Sequence, residues 1–158
     1  MHAYSELGRG STFNVYLPAR AATTVDVGTP VPELLRGHGE LVLVVDDEPA
    51  IRQVTQRLLE AFGYRVLSAV DGTEAVAIYA RRSHEIAVVL TDMMMPVMDG
   101  PATIRELRKM NPAVRIIAAS GLDASAHIVA LGITHFLPKP FATDRLLTTL
   151  RQALADPA

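Results

Sequence analysis

The chain has 158 residues, of which 49% are hydrophobic and 20% charged, and its formal net charge is −2 at pH 7. A chain of this length holds one ordinary domain with a sizeable core and some additional sequence. It contains no cysteine, which excludes disulfides and thiolate metal sites. It also lacks the basic stripe that would neutralise nucleic-acid phosphates, so we expect no nucleic-acid partner.

The part of the chain before residue 40 gives few structural signals. No apolar run is long enough to cross a bilayer, and the opening MHAYSELGRG lacks the apolar core of a secretion signal, so we expect a soluble, cytoplasmic protein without a membrane segment. Residues 11–18, STFNVYLP, predict a strand that is entered from a glycine turn at 8–10 and has no evident partner. Residues 19–39 show no sustained period, which predicts a linker.

From residue 40 onward, short apolar runs alternate with amphipathic segments. This alternation is typical of a parallel sheet with helices on its faces. Several of the runs are apolar throughout, as expected of strands that are covered on both faces. The predicted strands cover residues 41–45, 64–69, 86–91, 114–119 and 134–137.

Five helical patterns lie between and after these strands. Pro49 suits the first turn of the first helix, and Gly63 suits the left-handed residue that follows its end. The predicted helices cover residues 49–62, 71–83, 100–110, 124–131 and 142–155. The 3.6-residue period predicts one buried face on the first helix, formed by Ile51, Val54, Leu58 and Leu59.

Polar side chains follow four of the predicted strands. Asp46 and Asp47 come directly after the first strand, and Asp92 ends the third. Ser120 follows the fourth strand and Lys139 the fifth. Because binding sites in an open parallel sheet form at the carboxyl ends of the strands, we expect these side chains to converge on one small site.

Three converging carboxylates repel one another unless a cation lies among them. A donor set of oxygen atoms alone favours Mg²⁺, and Asp47 and Asp92 would bind it directly. A carboxylate beside Mg²⁺ and a lysine can accept a phosphoryl group, so Asp92 is the candidate nucleophile. Taken singly, each residue has a plainer explanation as a helix cap, a turn former or a solvated charge. The occurrence of all these residues at the ends of strands of one sheet favours the phosphoryl-accepting site over these separate explanations.

These residues resemble the receiver domains of two-component response regulators, over residues 40–155. The motifs that carry the resemblance are VVDDE after the first strand, TDMMMPVMDG around Asp92, ASG at Ser120 and FLPKPF with Lys139. The resemblance implies an α/β, flavodoxin-like (CheY-like) fold, with a doubly wound sheet of five parallel strands and five helices. It also implies that a histidine kinase phosphorylates Asp92.

The resemblance assigns roles to the residues of the acidic site. Asp47, Asp92 and the backbone carbonyl of Met94 would hold Mg²⁺, and Asp46 would act through water. The methionines of TDMMMPVMDG need no cofactor of their own under this assignment. A thioether metal site is the alternative, but thioethers suit soft ions.

The resemblance also assigns the residues that grip the phosphoryl group and respond to it. Ser120 and Lys139 would bind the phosphoryl group, and the peptide between Lys139 and Pro140 would be cis, which proline permits. Phe136 would be an aromatic switch residue that turns inward when the Ser120 hydroxyl moves toward the phosphate. The alternative for Phe136 is a plain core aromatic near the end of the sheet.

The interval between Ser120 and Lys139 departs from the family pattern. It is shorter than expected by roughly one helical turn, so we expect the fourth helix, over residues 124–131, to be shortened or partly unwound. The surface that this helix forms with the last strand and last helix would then be unusual.

Residues 5–18, SELGRGSTFNVYLP, resemble the closing segment of the ATP-binding catalytic domain of histidine kinases. This resemblance implies a hybrid sensor kinase, with a kinase-domain remnant at 1–18, a linker at 19–39 and a receiver at 40–155. Nothing in the chain supplies a nucleotide pocket or a phosphoaccepting histidine helix, so we do not expect it to be a kinase by itself. We expect no output domain after the last helix, so the expected partners are the parent kinase, a histidine phosphotransfer protein or a second copy of the domain.

Two other functions compete with the receiver. The first is a Mg²⁺-dependent phosphatase with an aspartyl nucleophile, which needs a second acid two residues after the nucleophile. Met94 occupies that position and argues against it. The second is an interaction domain that works without phosphate, which the complete acidic site disfavours.

Overall fold

The structure, a computed structural model, describes residues 2–6, 8, 10–14, 35–121 and 131–156. The chain divides into two compact units, Met1–Pro30 and Val31–Ala158. Within the described residues, no helix is both long and apolar enough to cross a membrane.

The first unit contains a β-hairpin. Strand β1 (His2–Glu6) pairs antiparallel with β2 (Gly10–Asn14). The strand predicted at residues 11–18 was expected to have no partner, but its observed counterpart β2 has one. That expectation was wrong because the chain turns back on itself at two glycines, Gly8 and Gly10, with φ of 81° and 89°. A side chain at either position would be strained. Residues 15–18 and most of the predicted linker, 19–34, lie outside the described residues.

The second unit is a doubly wound α/β domain with a five-stranded parallel sheet, as the resemblance implied. Each predicted strand matches an observed one to within two residues at either end. In order across the sheet, the strands are β4 (Arg65–Ala69), β3 (Leu41–Val45), β5 (Ile86–Asp92), β6 (Ile116–Ser120) and β7 (His135–Pro138).

Four helices flank the sheet within the described residues. They are α1 (Pro49–Ala61), α2 (Gly72–Arg82), α3 (Gly100–Met110) and the C-terminal helix (Thr143–Ala155). Gly63 follows α1 with φ of 87°, as its predicted role requires. The shortened helix predicted over residues 124–131 lies almost entirely outside the described residues.

The sheet divides the core into two layers. Along β3, Leu41, Leu43 and Val45 face the layer that contains α2 and α3. Val42 and Val44 face the layer that contains α1 and the C-terminal helix. Successive side chains of a strand point to opposite faces, so a strand between two helical layers must be apolar throughout. This is why LVLVV reads as a continuous apolar run.

The predicted buried face of α1 is wrong at Val54, which is 64% exposed. The buried positions are Thr55 and Leu59, with Ile51 and Leu58 half-buried beside them. An α-helix turns by about 100° per residue, so Val54 lies about 100° around the axis from Thr55, at the margin of this stripe. Val54 instead borders an apolar groove on the surface.

Candidate functional site

The order of the strands reverses beside β3. Strand β4 lies on one side of β3 and β5 on the other, so the connections leave the sheet in opposite directions and open a crevice at the carboxyl ends of β3 and β5. Asp46 follows β3 at this crevice, and Asp92 is the last residue of β5.

Three carboxylates meet in the crevice. Asp46, Asp47 and Asp92 each offer one oxygen, and these oxygens all lie within 4.8 Å of one another. Asp46 and Asp92 are buried, with 4% and 9% of their surface exposed, whereas Asp47 is exposed. An oxygen-only donor set that is open to solvent on one side suits a hard divalent cation. The convergence predicted from the sequence is therefore present.

Lys139 connects two of these carboxylates. Its Nζ lies 2.7 Å from Asp46 Oδ2 and 2.7 Å from Asp92 Oδ2. Burial alone would lower the pKa of Lys139, but the two hydrogen bonds and the two negative charges outweigh burial, so its pKa lies above the ordinary value. Lys139 is therefore an ammonium group throughout the neutral range and offsets part of the negative charge.

The backbone places Lys139 at the site. Its N–H donates to the Ser120 carbonyl over 2.8 Å, which extends the β6–β7 pairing by one bond. The following peptide, between Lys139 and Pro140, is cis, as the resemblance implied. Ser120 itself is 2% exposed and ends β6, next to the strand that carries Asp92.

Hydrogen bonds fix the Asp92 carboxylate on both of its oxygens. Oδ2 accepts from Lys139, and Oδ1 accepts from the Met94 N–H over 3.2 Å. The Asp92 backbone is held as well, since Thr91 Oγ1 donates to its carbonyl and the Met93 N–H donates to the Ala119 carbonyl. The Met94 side chain, by contrast, is 76% exposed.

Asp46 is fixed by its own contacts, one of which the sequence did not indicate. Its Oδ1 accepts from the Glu48 N–H over 2.9 Å. Its carbonyl accepts from Arg52 Nη1 over 2.7 Å, so a side chain of α1 holds the β3–α1 loop. Arg52 lies in an amphipathic helix whose other charged residues, Arg57 and Glu60, are exposed, so spacing alone gave no reason to select it.

The turn between β5 and α3 depends on close backbone approach. A Cβ at Gly100 would lie 2.4 Å from the Asp92 carbonyl oxygen and 2.6 Å from the Met93 Cα. Only glycine fits, and its N–H donates to the Met93 carbonyl over 3.2 Å. Asp99 caps α3 by accepting from the Ala102 N–H over 2.7 Å. The Asp99–Gly100 pair thus packs the start of α3 directly against Asp92.

Phe136 lies on β7, one strand further from the crevice. It is paired with Ala118 on β6, two residues before Ser120, and is half-buried against the core layer of α2 and α3. The structure thus brings Asp46, Asp47, Asp92 and Lys139 into one site, with Ser120 at its border.

The family model of the response regulator receiver domain matches residues 42–151. The chain therefore belongs to the receiver domains of two-component systems, in agreement with its fold and its acidic cluster. The sensor kinase CckA of Brucella abortus is 37% identical over 161 residues, which cover 95% of this chain and 17% of that protein. The probable transcriptional regulator ycf27 of Porphyridium aerugineum is 38% identical over 73% of this chain and 48% of that protein. The chain thus spans less than half of either relative.

Solved structures of receivers have the same fold. A receiver domain protein from Clostridium thermocellum superposes with a TM-score of 0.69 at 34% identity, covering 72% of this chain and 93% of that one. The receiver domain of the hybrid histidine kinase CckA gives a TM-score of 0.62 at 33% identity, covering 72% and 98%. The Vibrio cholerae chemotaxis protein CheY4 gives 0.68 at 33% identity, covering 73% and 99%.

Proposed function

We propose that Asp92 is the phosphoacceptor of this receiver and takes its phosphoryl group from a phosphohistidine of a kinase or a histidine phosphotransfer protein. The observation that supports this proposal most directly is the position of the Asp92 carboxylate. One of its oxygens lies within 4.8 Å of oxygens of Asp46 and Asp47, and its Oδ2 lies 2.7 Å from Lys139 Nζ. A bond forms between an Asp92 oxygen and phosphorus while the phosphorus–nitrogen bond of the donor breaks, and the electron pair leaves with the imidazole. The product is an acyl phosphate.

We assign the acidic cluster to Mg²⁺, because its donors are all oxygens and one of them is open to solvent. Asp47, Asp92 and the Met94 backbone carbonyl would hold the ion, and Asp46 would act through water. When bound, Mg²⁺ shares the negative charge on the transferring phosphoryl oxygens. The residues of the chain orient the Asp92 carboxylate, through the hydrogen bonds from Lys139 and from the Met94 N–H.

Lys139 and Ser120 would bind the phosphoryl group. The Lys139 ammonium already contacts Asp92, so it can donate to an oxygen of the phosphoryl group attached there without leaving the crevice. The Ser120 hydroxyl can donate to a second oxygen from the end of β6. Phe136 lies on the neighbouring strand, two residues before the position paired with Ser120. As a phenylalanine it cannot donate a hydrogen bond, so a response there must act through packing.

An apolar groove beside Lys139 is the proposed docking surface for the phosphodonor. Lys139 and the exposed Val54 of α1 both line it, with the remaining lining from Ala50, Ile51, Thr55, Pro140 and Phe141. The groove is continuous with the reacting site, because Lys139 contacts both. A helix that carries the phosphohistidine could therefore bury its apolar face here while the imidazole reaches Asp92.

We also propose that the chain derives from a hybrid sensor histidine kinase that acts in the cytoplasm. The family model of the receiver domain matches only residues 42–151. The similarity to CckA covers 95% of the chain, so it must also include residues ahead of the receiver domain. The hairpin β1–β2 supports the assignment of residues 1–18 to a kinase-domain remnant, since an isolated two-stranded sheet is marginally stable and normally belongs to a larger sheet. A second copy of the domain is a further proposed partner.

Acetyl phosphate, a small phosphodonor, separates the receiver from the two competing functions. In the presence of Mg²⁺ we expect incorporation of one phosphoryl group per chain. Sustained release of many phosphates per chain would indicate a phosphatase instead. No incorporation, with beryllofluoride also leaving the NMR spectrum unchanged, would indicate an interaction domain that does not use phosphate.

A further inference from the structure

Residues 35–40, here called the strap, run along the surface of the receiver ahead of β3. The Gly37 N–H donates to the Phe62 carbonyl over 2.8 Å, and the Gly39 N–H donates to the Gly63 carbonyl over 3.0 Å. A third bond runs from the Arg65 N–H to the Glu40 carbonyl over 3.0 Å. The strap therefore pairs with the turn that connects α1 to β4.

Close packing accompanies these hydrogen bonds. The ring of Tyr64 is 3% exposed and lies under the strap, and its hydroxyl donates to the Leu35 carbonyl over 3.2 Å. A Cβ at Gly37 would lie 2.5 Å from Tyr64 Cδ1, and a Cβ at Gly63 would lie 2.7 Å from the Gly37 carbonyl oxygen. Both glycines are therefore required for the strap to approach this closely.

The strap also contacts the C-terminal helix. Glu40 Oε1 lies 3.4 Å from Arg151 Nη1 in a partly buried ion pair. Burial raises the pKa of Tyr64, the charge of Arg151 lowers it and the charge of Glu40 raises it, so all three groups share one environment. The strap thus joins the end of α1, the start of β4 and the C-terminal helix.

The strap and the acidic crevice lie at opposite ends of the sheet. The strap contacts the residues that begin β3 and β4, whereas Asp46 and Asp92 come at the carboxyl ends of β3 and β5. The five residues of β3 separate the two ends by roughly 17 Å. A chain that joins the receiver through the strap leaves the crevice uncovered.

We propose that the strap is an intramolecular docking segment, which binds the α1–β4 corner of the receiver and fixes the chain's point of entry at the end of the domain remote from Asp92. The docking surface is formed by Tyr64, Gly63 and Arg151, and its occupant is the segment Leu35–Glu40 of the same chain. The chain then enters the receiver without obstructing the access of a phosphodonor to the crevice.

Amide hydrogen exchange in the full chain tests this proposal. In the wild type, the Gly37 and Gly39 amides should be protected to an extent comparable with the Arg65 amide. Gly37→Ala pushes a methyl group into the Tyr64 ring, and we expect the protection of the Gly39 amide to fall by about tenfold or more. His38→Ala is the matched control, because its side chain is exposed, and should leave protection unchanged.

Two further variants keep the test decisive if Gly37→Ala disturbs the fold. Tyr64→Phe keeps the ring but removes the hydroxyl that bonds Leu35, and should lower the protection of Gly37 without altering amides of β5. Tyr64→Leu in the Gly37→Ala background makes room for the methyl group and should restore protection of Gly39. Exchange of the wild-type Gly37 and Gly39 amides at the rate of an unstructured peptide, or equal protection in Gly37→Ala and His38→Ala, would overturn the proposal.

Discussion

The charges around Asp92 nearly balance. Asp92 gains one attraction, to Lys139 at 2.7 Å, and suffers two repulsions, from Asp46 and Asp47 at up to 4.8 Å. Since Coulomb energy falls as the inverse of distance, the single attraction and the two repulsions are of similar size. The cost of burying a carboxylate is then not fully offset, and we expect Asp92 to contribute unfavourably to stability when no metal is bound.

The first prediction is that Asp92→Asn stabilises the metal-free protein. The amide removes a buried charge while Lys139 keeps Asp46 as its partner, so the free energy of unfolding should rise by about 1 kcal/mol. Lys139→Ala should have the opposite effect and cost about 3–5 kcal/mol, because two buried carboxylates lose their common cation. Urea denaturation in EDTA measures both, and an Asp92→Asn protein less stable than the wild type would contradict the charge balance.

The second prediction concerns Val97, in the loop after Asp92. This β-branched residue has φ of 68° and is 90% exposed, so it adopts a left-handed conformation without burying its side chain. Val97→Gly should stabilise the protein by about 1 kcal/mol, because glycine adopts this conformation without strain. Val70, which is 46% exposed and has no positive φ, provides the matched control. Thermal unfolding that shows no gain for Val97→Gly over Val70→Gly would argue against strain.

The packing of α3 against β5 determines where the Asp92 carboxylate lies. The third prediction is that Gly100→Ala costs about 2–3 kcal/mol, because its Cβ would meet backbone atoms, which cannot rotate away. The same displacement should slow the labelling of Asp92 by acetyl phosphate. Gly121→Ala is the control, since nothing lies within 4 Å of its Cβ. Equal stabilities of the two variants would show that α3 can move away from β5 at little cost.

The strands and helices were predictable where a single periodicity dominates. The bounds of α3 (Gly100–Met110) matched the predicted 100–110, because Asp99 and Gly100 mark its start, and β3 matched because LVLVV is covered on both faces. The exposure of Val54 was not predictable, because this residue lies at the margin of the buried stripe of α1. At that margin the helical period does not determine whether a side chain is buried. The acids of the site were predictable because polar residues follow several strands of one parallel sheet, whose carboxyl ends meet at the same edge, although each acid taken singly has a plainer explanation.

The contacts that support the site were not predictable in the same way. Arg52 holds the Asp46 carbonyl, and Gly37 approaches Tyr64, through distances that arise only when distant segments fold together. The pair Gly37 and Gly39 indicated a linker by composition, although both glycines hydrogen-bond to the α1–β4 turn. Glycine signals either flexibility or close approach, and the sequence does not distinguish the two.

The strap, the acidic crevice and the apolar groove occupy separate surfaces of the receiver. The strap enters at the amino ends of the strands, the acidic crevice opens at the carboxyl ends, and the groove at Val54 leads into the crevice from the side of α1. Under the proposed function, a small phosphodonor needs only the crevice, whereas we expect a protein donor to need the groove as well. The two classes of donor should therefore respond differently to changes in the groove.

The fourth prediction is that Val54→Asp separates the two donors. The donor is a phosphohistidine-bearing protein that labels the wild type. A charge in the apolar groove should slow phosphotransfer from this donor by about tenfold or more. Labelling by acetyl phosphate should be unchanged, because the side chain is 64% exposed and outside the acidic cluster. Ala77→Asp, on the exposed face of α2, is the control. Equal slowing with both donors would place the defect in the crevice and not in docking.

Mass spectrometry of the phosphorylated chain tests the central claim most directly. After incubation with acetyl phosphate and Mg²⁺, the wild type should carry one phosphoryl group, on the peptide that contains Asp92. Asp99→Asn changes an aspartate seven residues away and should still be labelled, while Asp92→Asn should remain unmodified, as should the wild type in EDTA. Label on another residue, or an Asp92→Asn protein labelled as fully as the wild type, would contradict the account.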